Sequence, residues 1–325
     1  MKTPTLTTLG ALPMILLSAC AASGGGDPAL RAELEAAESL FSGRRYAEAG
    51  EAYRAVAEHA RDERAVRCEA LAMAARCASL CDDLAGGRAL LEEAGRLADP
   101  EEPASWSRYR IVYGIYLREE GRREEALACF DELYRYCEAH GLHRRAVDAV
   151  HHAAIVAPLH EQEAWAMRGI AAAEACDAGA WLAVLWNNLG STYEELGRPE
   201  DMLRAYREAQ RYHHAHSRPL PAQISDWAVG HALRLCGRPD EARAVLEPCL
   251  AAFTAMDEAG DPAGAAEWIG WTSWELGELD LAAGDRDAAR PLLLRAEELL
   301  AAAHLDRHWP EGWARLQVAV AKVRD

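Results

Sequence analysis

Trp186-Asn187-Asn188-Leu189-Gly190-Ser191-Thr192-Tyr193 runs on to Leu196, and its large apolar residues recur at intervals of three and four. That spacing sets Trp186, Leu189, Tyr193 and Leu196 on one face of a helix. Gly197-Arg198-Pro199 breaks the helix, and a second one returns through Met202, Tyr206 and Ala209 to about residue 216. Gly190 and Ala209 are small enough to let the two helices approach closely. One such hairpin cannot bury its own apolar faces, so the pattern predicts further hairpins on both sides.

The order Trp186, Leu189, Gly190, Tyr193 spells W-x2-L-G-x2-Y. Met202 follows thirteen residues after Leu189, where Ala is usual, and Tyr206 and Ala209 come after it. The segment 183–216 therefore resembles a tetratricopeptide repeat. The resemblance implies an all-α, right-handed α-solenoid of about seven such hairpins, ended by a C-terminal capping helix.

The rest of the chain supplies the copies. Asp27-Pro28 is a helix start, because Asp can cap orphan amides and Pro at the first helical position loses no needed donor. Hairpins are expected over 29–60, 64–98, 106–139, 146–177, 183–216 and 223–256, with a seventh after residue 264. Their turns are placed at Gly43, Gly86-Gly87, Gly121, Gly197, Gly237 and Gly284, while the fourth hairpin has no glycine turn. Gly197-Arg198-Pro199-Glu200 and Gly237-Arg238-Pro239-Asp240 lie forty residues apart and read as a duplication. Pro310 to Val323, with Trp313, Leu316, Val320 and Val323 on one face, is the expected cap.

Residues 1–19 have the form of a secretory signal, with Lys2 followed by the short apolar run Leu9 to Leu17. Leu17-Ser18-Ala19-Cys20 resembles the lipobox of bacterial lipoproteins, which implies lipid on Cys20 and a stable membrane anchor. Residues 20–27 would be a flexible tether, and 28–325 the solenoid. Ala21 after the Cys is consistent with the periplasmic face of an outer membrane, or the protein is exported to the cell surface.

Of the 325 residues, half are hydrophobic and 27% are charged, a composition able to bury large cores. Ala, Leu, Glu and Arg dominate, which favours helix. The formal charge is −17, and loss of residues 1–19 removes one Lys, leaving 34 basic against 52 acidic side chains. So acidic a chain is poorly suited to nucleic acid. Membrane contact is expected through the anchor alone.

Little in the sequence points to catalysis. G-x-S-x-G, phosphate-loop and dinucleotide motifs are absent, and His160-Glu161-Gln162-Glu163-Ala164 lacks the second His of a zinc protease. No catalytic residue, metal ligand set or cofactor is assigned. With Cys20 given to lipid, eight cysteines remain, and Cys236 with Cys249 is the better candidate pair for a disulfide, while most of the cysteines read as small core residues. The histidines at 213, 214 and 216, and at 140 and 143, sit near helix C-termini, where a cationic ring is favourable.

In tetratricopeptide arrays the first helices line a concave groove. Carried onto this chain, the groove residues are Arg108, Ile111, Arg118, His151, Asn187, Glu194, Trp227, His231, Arg234, Trp271 and Trp274. Aromatic anchors mixed with hydrogen-bonding groups suit a bound protein or peptide segment. The expectation is a non-catalytic adaptor or scaffold of the bacterial envelope. The alternatives are a lipoprotein that stacks a glycan or peptide on its tryptophans, and tryptophans that only seal the packing between repeats.

Overall fold

A computed structural model of the chain describes residues 27–260 and 264–324. The signal, Cys20 and residues 21–26 of the tether lie outside the described residues. Those described are all-α, with no strand, and form consecutive antiparallel hairpins. The described residues divide into two compact units, 27–181 and 182–324.

The first unit holds α1 (Pro28–Ser42), α2 (Tyr46–His59), α3 (Arg64–Leu80), α4 (Leu84–Leu97), α5 (Pro103–Glu119), α6 (Arg123–Ala139), α7 (His143–Val156) and α8 (Leu159–Ala175). Asp27 caps α1 as expected, its Oδ1 accepting from Ala29 N at 2.9 Å. Helices α3, α5 and α7 form the inner layer, with ten buried residues on each. Helices α2, α4, α6 and α8 bury only a narrow stripe, such as Ala126, Cys129, Phe130, Leu133 and Cys137.

The second unit is built from α9 (Gly179–Glu195), whose first three residues belong to the first unit, α10 (Pro199–His216), α11 (Pro219–Leu235), α12 (Pro239–Glu258), α13 (Ala265–Ala283) and α14 (Arg286–Ala302). The expected cap is present as α16 (Pro310–Arg324), which packs on α14. A one-turn helix before it, α15 (Leu305–His308), was not foreseen.

Almost every hairpin turn is made the same way. The second residue beyond the first helix, or the first beyond α13, adopts left-handed backbone, and the next amide bonds back five residues, as in Arg198 N to Tyr193 O and Arg238 N to Leu233 O at 2.9 and 3.0 Å. Glycine fills that position at 121, 197, 237 and 284. The second hairpin corrects the sequence expectation. Its turn is Cys81-Asp82-Asp83, with Asp82 at φ 61°, and Gly86-Gly87 lies inside the first turn of α4. A Cβ on Gly87 would come within 1.7 Å of Tyr116 Oη, which donates to Ala75 O at 2.8 Å, so this glycine makes room for packing. Gly43 is likewise ordinary backbone at φ −76°, and Arg44 takes the left-handed position.

Close approach inside hairpins follows one rule. Gly114, Gly230 and Gly277 each face the side chain sixteen residues on, Phe130, Leu246 and Leu293, and an added Cβ would lie 2.5–2.7 Å from it. The first helix thus has a notch that receives a large side chain of the second.

Candidate functional site

The eleven sequence candidates do fall on inner helices, but their side chains are mostly built into the packing. In the first unit Arg108 is 5% exposed, and its Nε donates to Glu69 Oε1 at 3.2 Å. Arg145 Nη2 donates to the same oxygen at 3.2 Å and Nη1 to Ala104 O at 2.9 Å. Burial alone would raise the Glu69 pKa, yet Arg145 and Arg108 outweigh it and hold the carboxylate charged. Arg108 is therefore a structural cation. Ile111 is core, and His151 is buried beside Trp181, with ring centroids 5.4 Å apart. Burial, helped by Arg118, pushes the His151 pKa down to about 3, so its ring is neutral.

Arg118 is the most open of the four. Its Nη2 donates to Glu119 at 2.5 Å, and its Nη1 lies 3.3 Å from His152 Nδ1. A guanidinium has no acceptor, so Nδ1 accepts and the proton of neutral His152 sits on Nε2. That Nε2 faces Asp148 Oδ1 at 3.6 Å.

The second unit presents a charged row across α9, α11 and α13. His231 Nδ1 lies 2.9 Å from Glu275 Oε1, and its Nε2 lies 3.3 Å from Glu194 Oε1. Arg234 Nε bonds Glu275 Oε2, with Nη2 to Oε1 at 3.2 Å. Burial alone would neutralise His231, but Glu275 and Glu194 raise its pKa to about 10. Glu275 is held well below the usual carboxylate range: burial opposes this, and His231 and Arg234 prevail. Both ring nitrogens are thus protonated and the row is locked.

Around it lies an aromatic cluster. Trp227 stacks on His231 at 5.2 Å, and Trp271 and Trp274 stack on each other at 5.7 Å. Trp309, between α15 and α16, packs on both, at 6.0 and 6.3 Å. None of these tryptophans exceeds 9% exposure. Trp271 and Trp274 donate to Glu267 and Glu278, each at 3.1 Å.

Four buried side-chain groups of the second unit, Trp186 Nε1, Asn187 Nδ2, Trp227 Nε1 and Ser273 Oγ, have no hydrogen-bond partner. Of these, Asn187 and Trp227 occupy corresponding positions, three residues ahead of Gly190 and Gly230, on α9 and α11.

Residues 183–212 match the tetratricopeptide repeat. That tetratricopeptide segment is the fifth hairpin, the one the sequence motif marks. Solved structures extend the likeness of fold. RapI in its apo form is similar over 83% of this chain and 76% of its own, at TM-score 0.67 and 9% identity. BtubC (BKLC) from P. vanneervenii is similar over 71% and 93%, at 0.55 and 16%. A Rap protein complexed with competence and sporulation factor is similar over 84% and 76%, at 0.53 and 11%. At such identities these neighbours show the fold alone. No curated protein matches in sequence.

Glu69, His152 and Glu275, partners of the candidate residues, carry little signal in the sequence. For Glu69 the available signal was a lone charge within the apolar helical run Cys68-Glu69-Ala70-Leu71-Ala72-Met73-Ala74-Ala75. The sulfur prediction needs correcting too. Cys236 and Cys249 are free thiols. Cys236 closes α11 beside the turn, while Cys249 lies about 16 Å along α12 at 1.5 Å per residue, beyond disulfide reach.

Proposed function

We propose that the chain is a non-catalytic adaptor that binds a protein or peptide segment along the inner helices of its second unit. The observation that carries this reading is the pair Asn187 Nδ2 and Trp227 Nε1, donors buried without partners at repeat-equivalent positions. A buried donor left unpaired is costly, and a series of acceptors at repeat spacing would satisfy both. The backbone carbonyls of an extended segment provide such a series. The rigid row of Glu194, His231, Glu275 and Arg234 beside them offers fixed charges for register. Competence and sporulation factor bound to a Rap protein of similar fold is a precedent for the scaffold.

The lipobox-like Leu17-Ser18-Ala19-Cys20 supports a lipid anchor, which would hold this adaptor at the periplasmic face of an outer membrane or at the cell surface. The glycan-stacking alternative has less support, since the faces of Trp271 and Trp274 are covered by one another and by Trp309.

A photo-crosslinking residue in place of Glu194, tested in envelope preparations, should give a discrete protein adduct. The same group at exposed Arg204 on α10 should not. Asn187→Ala with Arg234→Ala should abolish the Glu194 adduct; equal labelling from both positions would refute the inner-face site. Cys20→Ser should release the protein from membranes, and retention would remove the anchor from the reading.

A further inference from the structure

The inner helices of the second unit carry an excess of negative charge. Helices α9, α11 and α13 hold seven carboxylates against one arginine. The general acidity of the chain does not account for this, because the inner helices α3, α5 and α7 of the first unit run the other way, with eight arginines against three carboxylates. Asp226 turns to Gln210 and His214 on α10, each at 2.7 Å, and Asp280 turns to Arg243 on α12. Glu194 and Glu275 are balanced by His231 and Arg234. Glu267 and Glu278 form no salt bridge among the described residues; each accepts an indole N–H, from Trp271 and Trp274, at 3.1 Å.

Both carboxylates are half-buried and share one face of α13 with the tryptophans, since residues 267, 271, 274 and 278 recur at intervals of four, three and four. They stand about 16 Å apart along the helix at 1.5 Å per residue. A carboxylate that has lost part of its hydration and has no counter-ion gains most from an arriving cation. The unpaired donors lie beside them. Asn187, 3% exposed, sits seven residues before Glu194 on the same face of α9. Trp227, 5% exposed, shares a face of α11 with His231 and Arg234, stacks on His231, and packs on Trp271 with ring centroids 6.3 Å apart.

A peptide backbone supplies acceptors for the two donors whatever its sequence, so charge is what selects among sequences. An acidic segment would meet Glu267 and Glu278 as like charges, and a neutral one would cover them without compensation. We propose that the partner of this face is a cationic protein segment, an extended stretch bearing at least two Lys or Arg residues. Its backbone carbonyls accept from Asn187 Nδ2 and Trp227 Nε1, and its basic side chains pair with Glu267 and Glu278. This partner class rests on the adaptor reading of the same face.

The test is an array of peptides of about ten residues, random apart from two fixed positions that are both basic, both acidic or both Ser, probed with the full chain. Basic peptides should be retained about tenfold more than acidic ones at about 0.05 M salt, and the ratio should fall to about threefold at about 0.5 M. Glu267→Gln with Glu278→Gln keeps an acceptor for each indole and, with helicity checked by circular dichroism, should bring the two classes to within about twofold. If that variant does not fold, a photo-crosslinking group at Glu194 decides: basic peptides should label it and acidic ones should not. Equal retention of both classes, or a preference that survives the double substitution, would overturn the cationic partner and leave the adaptor reading standing. Retention of no peptide would also overturn it, and absence of the envelope adduct at Glu194 as well would remove the adaptor reading with it.

Discussion

Gly190 and Tyr206, sixteen residues apart on α9 and α10, interlock so closely that a Cβ on Gly190 would stand 2.3 Å from Tyr206 Cε1. Tyr206 is fully buried, and its hydroxyl lies 3.3 Å from Ser191 Oγ. Gly190→Ala should therefore overpack the fifth hairpin and destabilise the second unit by about 1–3 kcal/mol. Urea unfolding followed by tryptophan fluorescence measures it. A neutral result would mean that the two helices separate easily, contrary to this packing.

The first turn offers the opposite outcome. Arg44 holds left-handed backbone at φ 64°, which costs a non-glycine residue about 1 kcal/mol. Arg44→Gly should recover about that amount in a chemical melt, whereas Gly43→Ala, at φ −76°, should change little.

Glu69 serves two arginines at once, Arg108 and Arg145, each at 3.2 Å. Glu69→Gln strands both cations in the first unit and should destabilise it by about 3 kcal/mol. Adding Arg108→Met to that variant should restore part of the loss, and a double mutant no better than the single would argue against the shared pair.

The buried histidines should respond to pH in opposite directions. His231 has its pKa raised from 6.5 to about 10, so its contribution is full below 6.5 and is lost as pH rises through 10. His151 and His213 move the other way, to about 3 and about 4, each by burial. Their neutral state stabilises the fold above 6.5, and that contribution is lost as pH falls toward those values. Asp148, raised to about 6 by burial, acts against them, since its penalty is relieved below pH 6. Nuclear magnetic resonance of the imidazole rings should show His231 still protonated at pH 8 and His151 still neutral at pH 5.

Thiol labelling tests the packing of the sulfurs. Cys81 is exposed, Cys176 and Cys236 are half-buried, and Cys68, Cys77, Cys129, Cys137 and Cys249 are buried. Burial also pushes Cys68, Cys77 and Cys249 up to about 12. A thiol reagent at neutral pH should modify Cys81 first and leave the buried five until the protein unfolds.

Hairpin boundaries were legible because helical periodicity and proline starts are local signals. The fifth hairpin, read as 183–216, occupies 179–216. Gly86-Gly87 resembles a break, but Gly86 lies against the capping carboxylate of Asp83 and Gly87 makes room for Tyr116, far along the chain on α5. The candidate positions on the inner helices were legible in the same way, but their exposure was not. Sequence spacing put Trp271 and Trp274 on an inner helix and could not reveal Trp309 arriving from beyond α14 to cover them.

By itself the sequence determined that this chain is helical, where its hairpins begin and turn, and which face of each helix is apolar. Those properties depend on residues within a few positions of one another. Only tertiary structure decided which charges are engaged with each other, as in Glu69 with Arg108 and Arg145 or His231 with Glu275 and Glu194. Such pairings join residues 37 to 76 positions apart, through backbone positions set by the packing of whole hairpins. Electrostatic energy falls with distance in space, and no spacing along the chain encodes that distance.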